Sequence, residues 1–97
     1  MDQEQVKILK ISNDLGLHGR AAAKIVELVN QYKSKLYFNK DGNEVDGSSI
    51  LCILTLACQK GTEIQARAVG EDSEELLAKL DLLFNEKFGE KRWLIIL

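Results

Sequence analysis

The apolar residues of this chain switch repeatedly between two spacings, and few folds can bury such a pattern. From Gln5 to Ile11 the run is rich in Val and Ile and reads as a strand, with Val6 and Ile8 on one face. From Gly19 the period lengthens. Ala22, Ile25, Val26, Val29 and Tyr32 recur at three and four residues, with Lys24, Glu27 and Gln31 opposite, which predicts an amphipathic helix to about Lys33. Leu36 and Phe38 alternate with Tyr37 and Asn39 in a second strand, and Asp41-Gly42 offers the positive φ angles of a tight hairpin turn. Asn43 to Asp46 is the short returning strand. Gly47-Ser48-Ser49 then opens an apolar stretch to Cys58, read as a serine-capped helix closed near Gly61. Glu63 to Val69 alternates again, with Ile64, Ala66 and Ala68 facing inward. Asp72-Ser73-Glu74-Glu75 has the form of a helix start, an Asp cap with Glu three residues on. Leu76, Leu77, Leu80, Leu83, Phe84 and Phe88 follow at helical spacing, and Gly89 can end the helix.

The order βαββαβα predicts an α+β fold, an open-faced β-sandwich. A four-stranded, mainly antiparallel sheet with three helices on one face buries every apolar stripe at once. Ninety-seven residues suffice for one core and not two, so residues 1–97 are read as a single domain. No proline, repeat or low-complexity stretch marks a linker.

Composition excludes several functions. With 45% hydrophobic and 29% charged residues the chain is globular in character. A formal net charge of −2 without a basic block argues against nucleic acid as a partner. Cys52 and Cys58, in an apolar run and lacking the two-residue gap of a redox pair, are expected to be buried free thiols of a reduced cytosol. The acidic, polar start Met1-Asp2-Gln3-Glu4-Gln5 is unlike a secretory signal. No apolar run approaches the roughly 20 residues of a membrane span, so a soluble, cytoplasmic protein without membrane insertion is expected.

The chain's single histidine, His18, lies where the first strand pattern gives way to the first helix pattern. An imidazole there adjoins unpaired backbone N–H groups and the guanidinium of Arg20. A free imidazole, with an ordinary pKa of about 6.5, is mostly neutral at pH 7 and therefore nucleophilic. The positive end of the helix should disfavour the imidazolium further, typically by ~0.3–1 kcal/mol. Once phosphorylated, the ring would present its anion to the same N–H groups, from Gly19 to Ala21, and to the fork of Arg20. Phosphoryl transfer asks mainly for positioning and charge stabilisation. An isolated histidine of this kind is more often an ordinary loop residue.

Three blocks lift His18 out of that class. Gly16-Leu17-His18-Gly19-Arg20 before an Ala-rich helix, Gly47-Ser48-Ser49-Ile50-Leu51-Cys52-Ile53-Leu54-Thr55-Leu56, and Lys60-Gly61-Thr62-Glu63-Ile64 together resemble the HPr family. HPr is the phosphocarrier of the bacterial phosphoenolpyruvate-dependent sugar phosphotransferase system. The resemblance covers about residues 5–90 and implies an HPr-like fold. It also implies that His18 takes phosphate from phospho-enzyme I and passes it to an enzyme II A-type domain. Arg20 would stabilise the phosphate, and no metal or organic cofactor is implied. The chain would then be a phosphoryl-accepting intermediate and not a turnover enzyme. The family usually places proline after the arginine; here it is Ala21, which keeps the helix but predicts a looser histidine loop.

By the same resemblance, Ser49 matches a serine that a dedicated kinase/phosphorylase modifies in many members. Simple helix capping, by Ser49 or by Ser48, is the alternative. The helix after it carries more apolar residues than one buried stripe needs, which marks a protein contact. Leu51 and Leu54, with Ile50, are the docking candidates; a wholly buried short helix is the alternative. The apolar tail from Lys91, ending Trp93-Leu94-Ile95-Ile96-Leu97, extends beyond the family pattern and could pack on the domain, pair two chains or stay free. Two further readings compete with the carrier. One is a regulatory HPr paralogue acting by binding and switched at Ser49. The other is a ferredoxin-like RNA- or metal-binding domain, which would need sheet aromatics in a basic face or a CxxC loop; neither is present.

Overall fold

The computed structural model describes residues 3–90. Its elements run β1 (Glu4–Lys10), α1 (Gly19–Val29), β2 (Lys35–Lys40), β3 (Asn43–Asp46), α2 (Ile50–Thr55), β4 (Glu63–Val69) and α3 (Ser73–Asn85), followed by a 3₁₀ turn at Lys87–Gly89. The four strands form one sheet in the order β1-β4-β2-β3, and every neighbouring pair is antiparallel. The helices pack on a single face, α3 against β1 and β4 and α1 against both α2 and α3. The expected open-faced α+β architecture is therefore the observed one.

The sheet's inner face supplies Leu9, Leu36, Phe38, Ile64, Ala66 and Ala68 to the core. These meet Ala22, Ile25 and Val29 of α1, Ile53 of α2 and Leu76, Leu80 and Phe84 of α3. Burying each of the larger side chains contributes about 1.5–3 kcal/mol. The outer face is open. Val6 and Ile8 do share a face of β1, but it is the solvent side, where they are largely exposed. The inward face of that edge strand carries Lys7, whose ammonium reaches Asp81 of α3 at 3.1 Å, beside the buried Leu9. On the open side Arg67 lies over the Tyr37 ring at 4.5 Å and pairs with Glu44 and Glu4 at 2.7 and 3.0 Å.

Several boundaries depart from the periodicity, each for a tertiary reason. Helix α1 stops at Val29 and not near Lys33, because the backbone N–H groups of Lys33 and Ser34 donate to the carboxylate of Asp72. Tyr32 still packs on the core, from a turn. The same contacts overturn the expected Asp72 cap. Asp72 precedes α3, but its carboxylate serves the Lys33-Ser34 turn and the Ser34 hydroxyl and leaves the α3 N–H groups alone. Helix α2 spans only Ile50–Thr55. Ala57 adopts φ +50, which ends the helix, and the ammonium of Lys40 donates to the carbonyl of Leu56 at 3.1 Å. Both cysteines are free, but only Cys58 is buried; Cys52 is half-buried on α2. The apolar tail lies outside the described residues.

Candidate functional site

The loop between β1 and α1 is held by the segment that follows α2 and by its own Asn13. Gly61 N–H donates to Ile11 O at 2.7 Å and Leu17 N–H to Cys58 O at 3.0 Å, binding the loop to the segment that follows α2. Gly16 is indispensable to that approach. It has φ +68, and a Cβ there would lie 2.4 Å from the carbonyl oxygen of Cys58. Inside the loop, the fully buried Asn13 donates from Nδ2 to Gly16 O at 2.8 Å.

His18 caps α1. Its backbone is extended (φ −83, ψ 179), its carbonyl accepts the Ala22 N–H at 2.9 Å, and its Nδ1 accepts the Arg20 N–H at 3.1 Å. This is the N-cap geometry in which a side-chain acceptor satisfies an otherwise orphaned helix donor, here with a ring nitrogen in place of the usual oxygen. The other ring nitrogen, Nε2, lies 3.3 Å from Oε2 of Glu90. With a carboxylate at Nε2 and an N–H donor at Nδ1, the neutral ring carries its proton on Nε2 and keeps its lone pair on Nδ1. The ring is partly exposed, at 27%. Ala21, where the family pattern has proline, is fully buried, and α1 starts at Gly19 without it.

Arg20 is exposed, and among the described residues no carboxylate pairs with its guanidinium. Gly19 is open, with no atom within 4 Å of a hypothetical Cβ. The site therefore has a nucleophilic nitrogen, a backbone donor and an uncommitted cation at one helix end, open to an approaching partner.

Ser49, at the start of α2, is half-buried, and its Oγ accepts the Cys52 N–H at 3.2 Å. Ser48 is committed elsewhere, donating to Asp46 from both backbone and hydroxyl. Those bonds hold the Asp46 carboxyl below the usual range. Capping thus falls to Ser49 alone. Leu51 is 76% exposed, with Ile50 and Leu54 partly so, and α2 packs against α1. The wholly buried alternative for this helix does not hold.

Two further residues at the site, Glu90 and Asn13, carry no signal in the sequence pattern. The chain reaches Glu90 through three consecutive left-handed residues, Lys87 (φ 56), Phe88 (φ 57) and Gly89 (φ 70). Phe88 is buried edge-on to Phe84 with centroids 4.8 Å apart, and its carbonyl accepts the ammonium of Lys24 at 2.6 Å. The Glu90 carboxylate, only 8% exposed, accepts from Leu15 N–H at 3.2 Å and Asn13 Nδ2 at 3.0 Å. Burial pushes its pKa up, but the bonds from Asn13, Leu15 and His18 outweigh that and leave it lowered, so it is ionised at neutral pH. Nothing local announces this residue, since its neighbours in space lie at the other end of the chain.

Residues 6–86 match the family model of the PTS HPr component phosphorylation site. The chain is 38% identical over 82 residues to the phosphocarrier protein HPr of Xylella fastidiosa, covering 84% of this chain and 92% of that protein. Its fold matches HPr-C-His from Thermoanaerobacter tengcongensis with a TM-score of 0.85 at 33% identity, over 90% of this chain and 98% of the other. It also matches Crh, the Bacillus subtilis catabolite repression protein, with a TM-score of 0.70 at 35% identity, over 81% and 91% of the two chains. The chain belongs to the HPr family, the phosphocarrier proteins of the phosphotransferase system. Among the described residues no helix is long and apolar enough to cross a membrane.

Proposed function

We propose that the chain, acting as one domain in the cytoplasm, relays a phosphoryl group through Nδ1 of His18. Phospho-enzyme I is the donor and an enzyme II A-type domain the acceptor. The lone pair on Nδ1 attacks phosphorus as the bond to the donor breaks, and the electron pair of that bond leaves with the donor. The observation that carries this reading is the disposition of the two ring nitrogens, Nε2 on the Glu90 carboxylate and Nδ1 at the helix N-terminus. The Arg20 N–H that now faces the lone pair, with the neighbouring N–H groups of Gly19 and Ala21, is placed for phosphoryl oxygens, and the Arg20 guanidinium adds a second anchor. Partial exposure suits a relay, because a carrier must release what it accepts. The apolar side chains of Ile50, Leu51 and Leu54, beside α1, are the docking face for both partners.

Incubation with enzyme I and phosphoenolpyruvate should give an acid-labile label that is absent from His18→Ala. Lack of labelling in the wild type would overturn the reading. A second reading, regulation through Ser49 by a serine kinase/phosphorylase, draws on the likeness to Crh and on the position of Ser49 as sole cap of the docking helix. It predicts an acid-stable label confined to Ser49.

A further inference from the structure

Glu90 lies at the reacting ring with no part in binding the phosphoryl group. Its carboxylate is nine-tenths buried, fixed by Asn13 and Leu15, and meets the nitrogen that does not react. To bring it there, the chain adopts left-handed backbone at two non-glycine residues, Lys87 and Phe88. A helix end needs nothing so elaborate.

We propose that Glu90 is a positioning residue for phosphotransfer, keeping a proton on Nε2 of His18 in both the free and the phosphorylated carrier. The inference rests on His18 being the phosphoryl acceptor. When Nδ1 bonds to phosphorus, the ring acquires a positive charge, which it normally sheds by losing the Nε2 proton. An anion 3.3 Å away opposes that loss. With the proton retained, the onward step breaks the P–N bond, returns its electron pair to Nδ1 and releases a neutral imidazole. Without it, the leaving group is imidazolate, a far poorer one. Donation and acceptance thus proceed without a proton entering or leaving the ring, and the phosphoryl group can move readily in either direction.

The charged groups on the elements around the ring do not substitute for Glu90. Arg20 on α1 is a cation and favours loss of the proton, as does the positive end of the helix. Lys24 on α1 is bound to the Phe88 carbonyl, and Lys60 pairs with Asp14 of the loop at 2.8 Å. Helix α2 contributes no charged residue.

The experiment charges the intact protein with enzyme I and phosphoenolpyruvate and follows Nε2 by 1H–15N and 31P NMR across pH. In the wild type the Nε2 proton should persist to a pH at least one unit above that for free Nδ1-phosphohistidine. In Glu90→Gln, which keeps the size of the side chain, its loss should fall by about one unit or more, as expected for removal of an adjacent opposite charge. Onward transfer by the variant should slow several-fold at pH 8.5 while changing little at pH 6.5. If Glu90 only anchors the segment that follows α3, the variant loses thermal stability but its ring titration and transfer profile match the wild type, which overturns the proposal. A wild-type ring that deprotonates at or below the pH of the free compound overturns it without any variant. Failure of His18 to become charged at all is a different result and sinks the carrier reading itself.

Discussion

Replacing Gly16 by alanine tests whether the histidine loop is held by the backbone contact described above. The substitution adds one methyl group, yet the structure gives it two penalties. A non-glycine residue at φ +68 costs roughly 1–2 kcal/mol in backbone conformation. The new Cβ would sit 2.4 Å from Cys58 O, so the Leu17–Cys58 hydrogen bond must lengthen or break, costing about 0.5–1.5 kcal/mol more. A total of about 1.5–3.5 kcal/mol follows. Gly19→Ala is the control. It adds the same methyl three residues on, where no atom lies within 4 Å and the backbone is already helical. There the change should be within about 0.5 kcal/mol, or slightly stabilising. Urea denaturation at pH 7 reads both variants, with an unchanged slope verifying that only stability has moved. Phosphorylation should also slow in Gly16→Ala, since the loop carries the imidazole. A cost below about 1 kcal/mol, or equal effects at the two glycines, would mean that the β1–α1 loop is not fixed through Cys58.

Two neighbours on α2 should separate stability from docking. Ile53→Ala, at a fully buried position, should cost about 2–5 kcal/mol. Leu51→Ala, at an exposed one, should leave the urea midpoint nearly unchanged while weakening binding to enzyme I, measured by calorimetry. Asp72 should contribute to acid lability. Its bonds from the Ser34 hydroxyl and the Lys33 and Ser34 backbone lower its pKa in the folded state. The stability it lends is therefore present above the unfolded value of about 3.9 and lost as pH falls through the folded value. Asp72→Asn should be less stable than wild type at pH 7, and the gap should begin to close only below about pH 4 and vanish as pH falls past the lowered folded value; parallel stability curves would exclude the linkage.

The sequence declares those parts of the fold that local periodicity controls. Ile64, Ala66 and Ala68 alternate into the core as their spacing says, and the Asp41-Gly42 turn has positive φ at both residues. His18 is legible for a similar reason, because a helix onset and its first N–H groups are local features. What the sequence conceals is contact between distant segments. Asp72 looks like a helix cap until its carboxylate is found closing the turn after α1, and the same bonds end α1 early. Ala57 has no turn signature, yet its left-handed backbone cuts α2 short and turns Cys58 toward the histidine loop. Glu90 reads as one more charge after a helix, and only the folded chain brings it to Nε2 of a residue 72 positions earlier.

The most decisive observation is the site of phosphorus attachment in the intact chain after treatment with enzyme I and phosphoenolpyruvate, read from long-range 1H–15N couplings of the imidazole. The geometry at the start of α1 predicts a single phosphorylated species with phosphorus on Nδ1 of His18. Phosphorus on Nε2, or on Ser49 with His18 unmodified, would show that the helix N-terminus does not direct the chemistry of this protein.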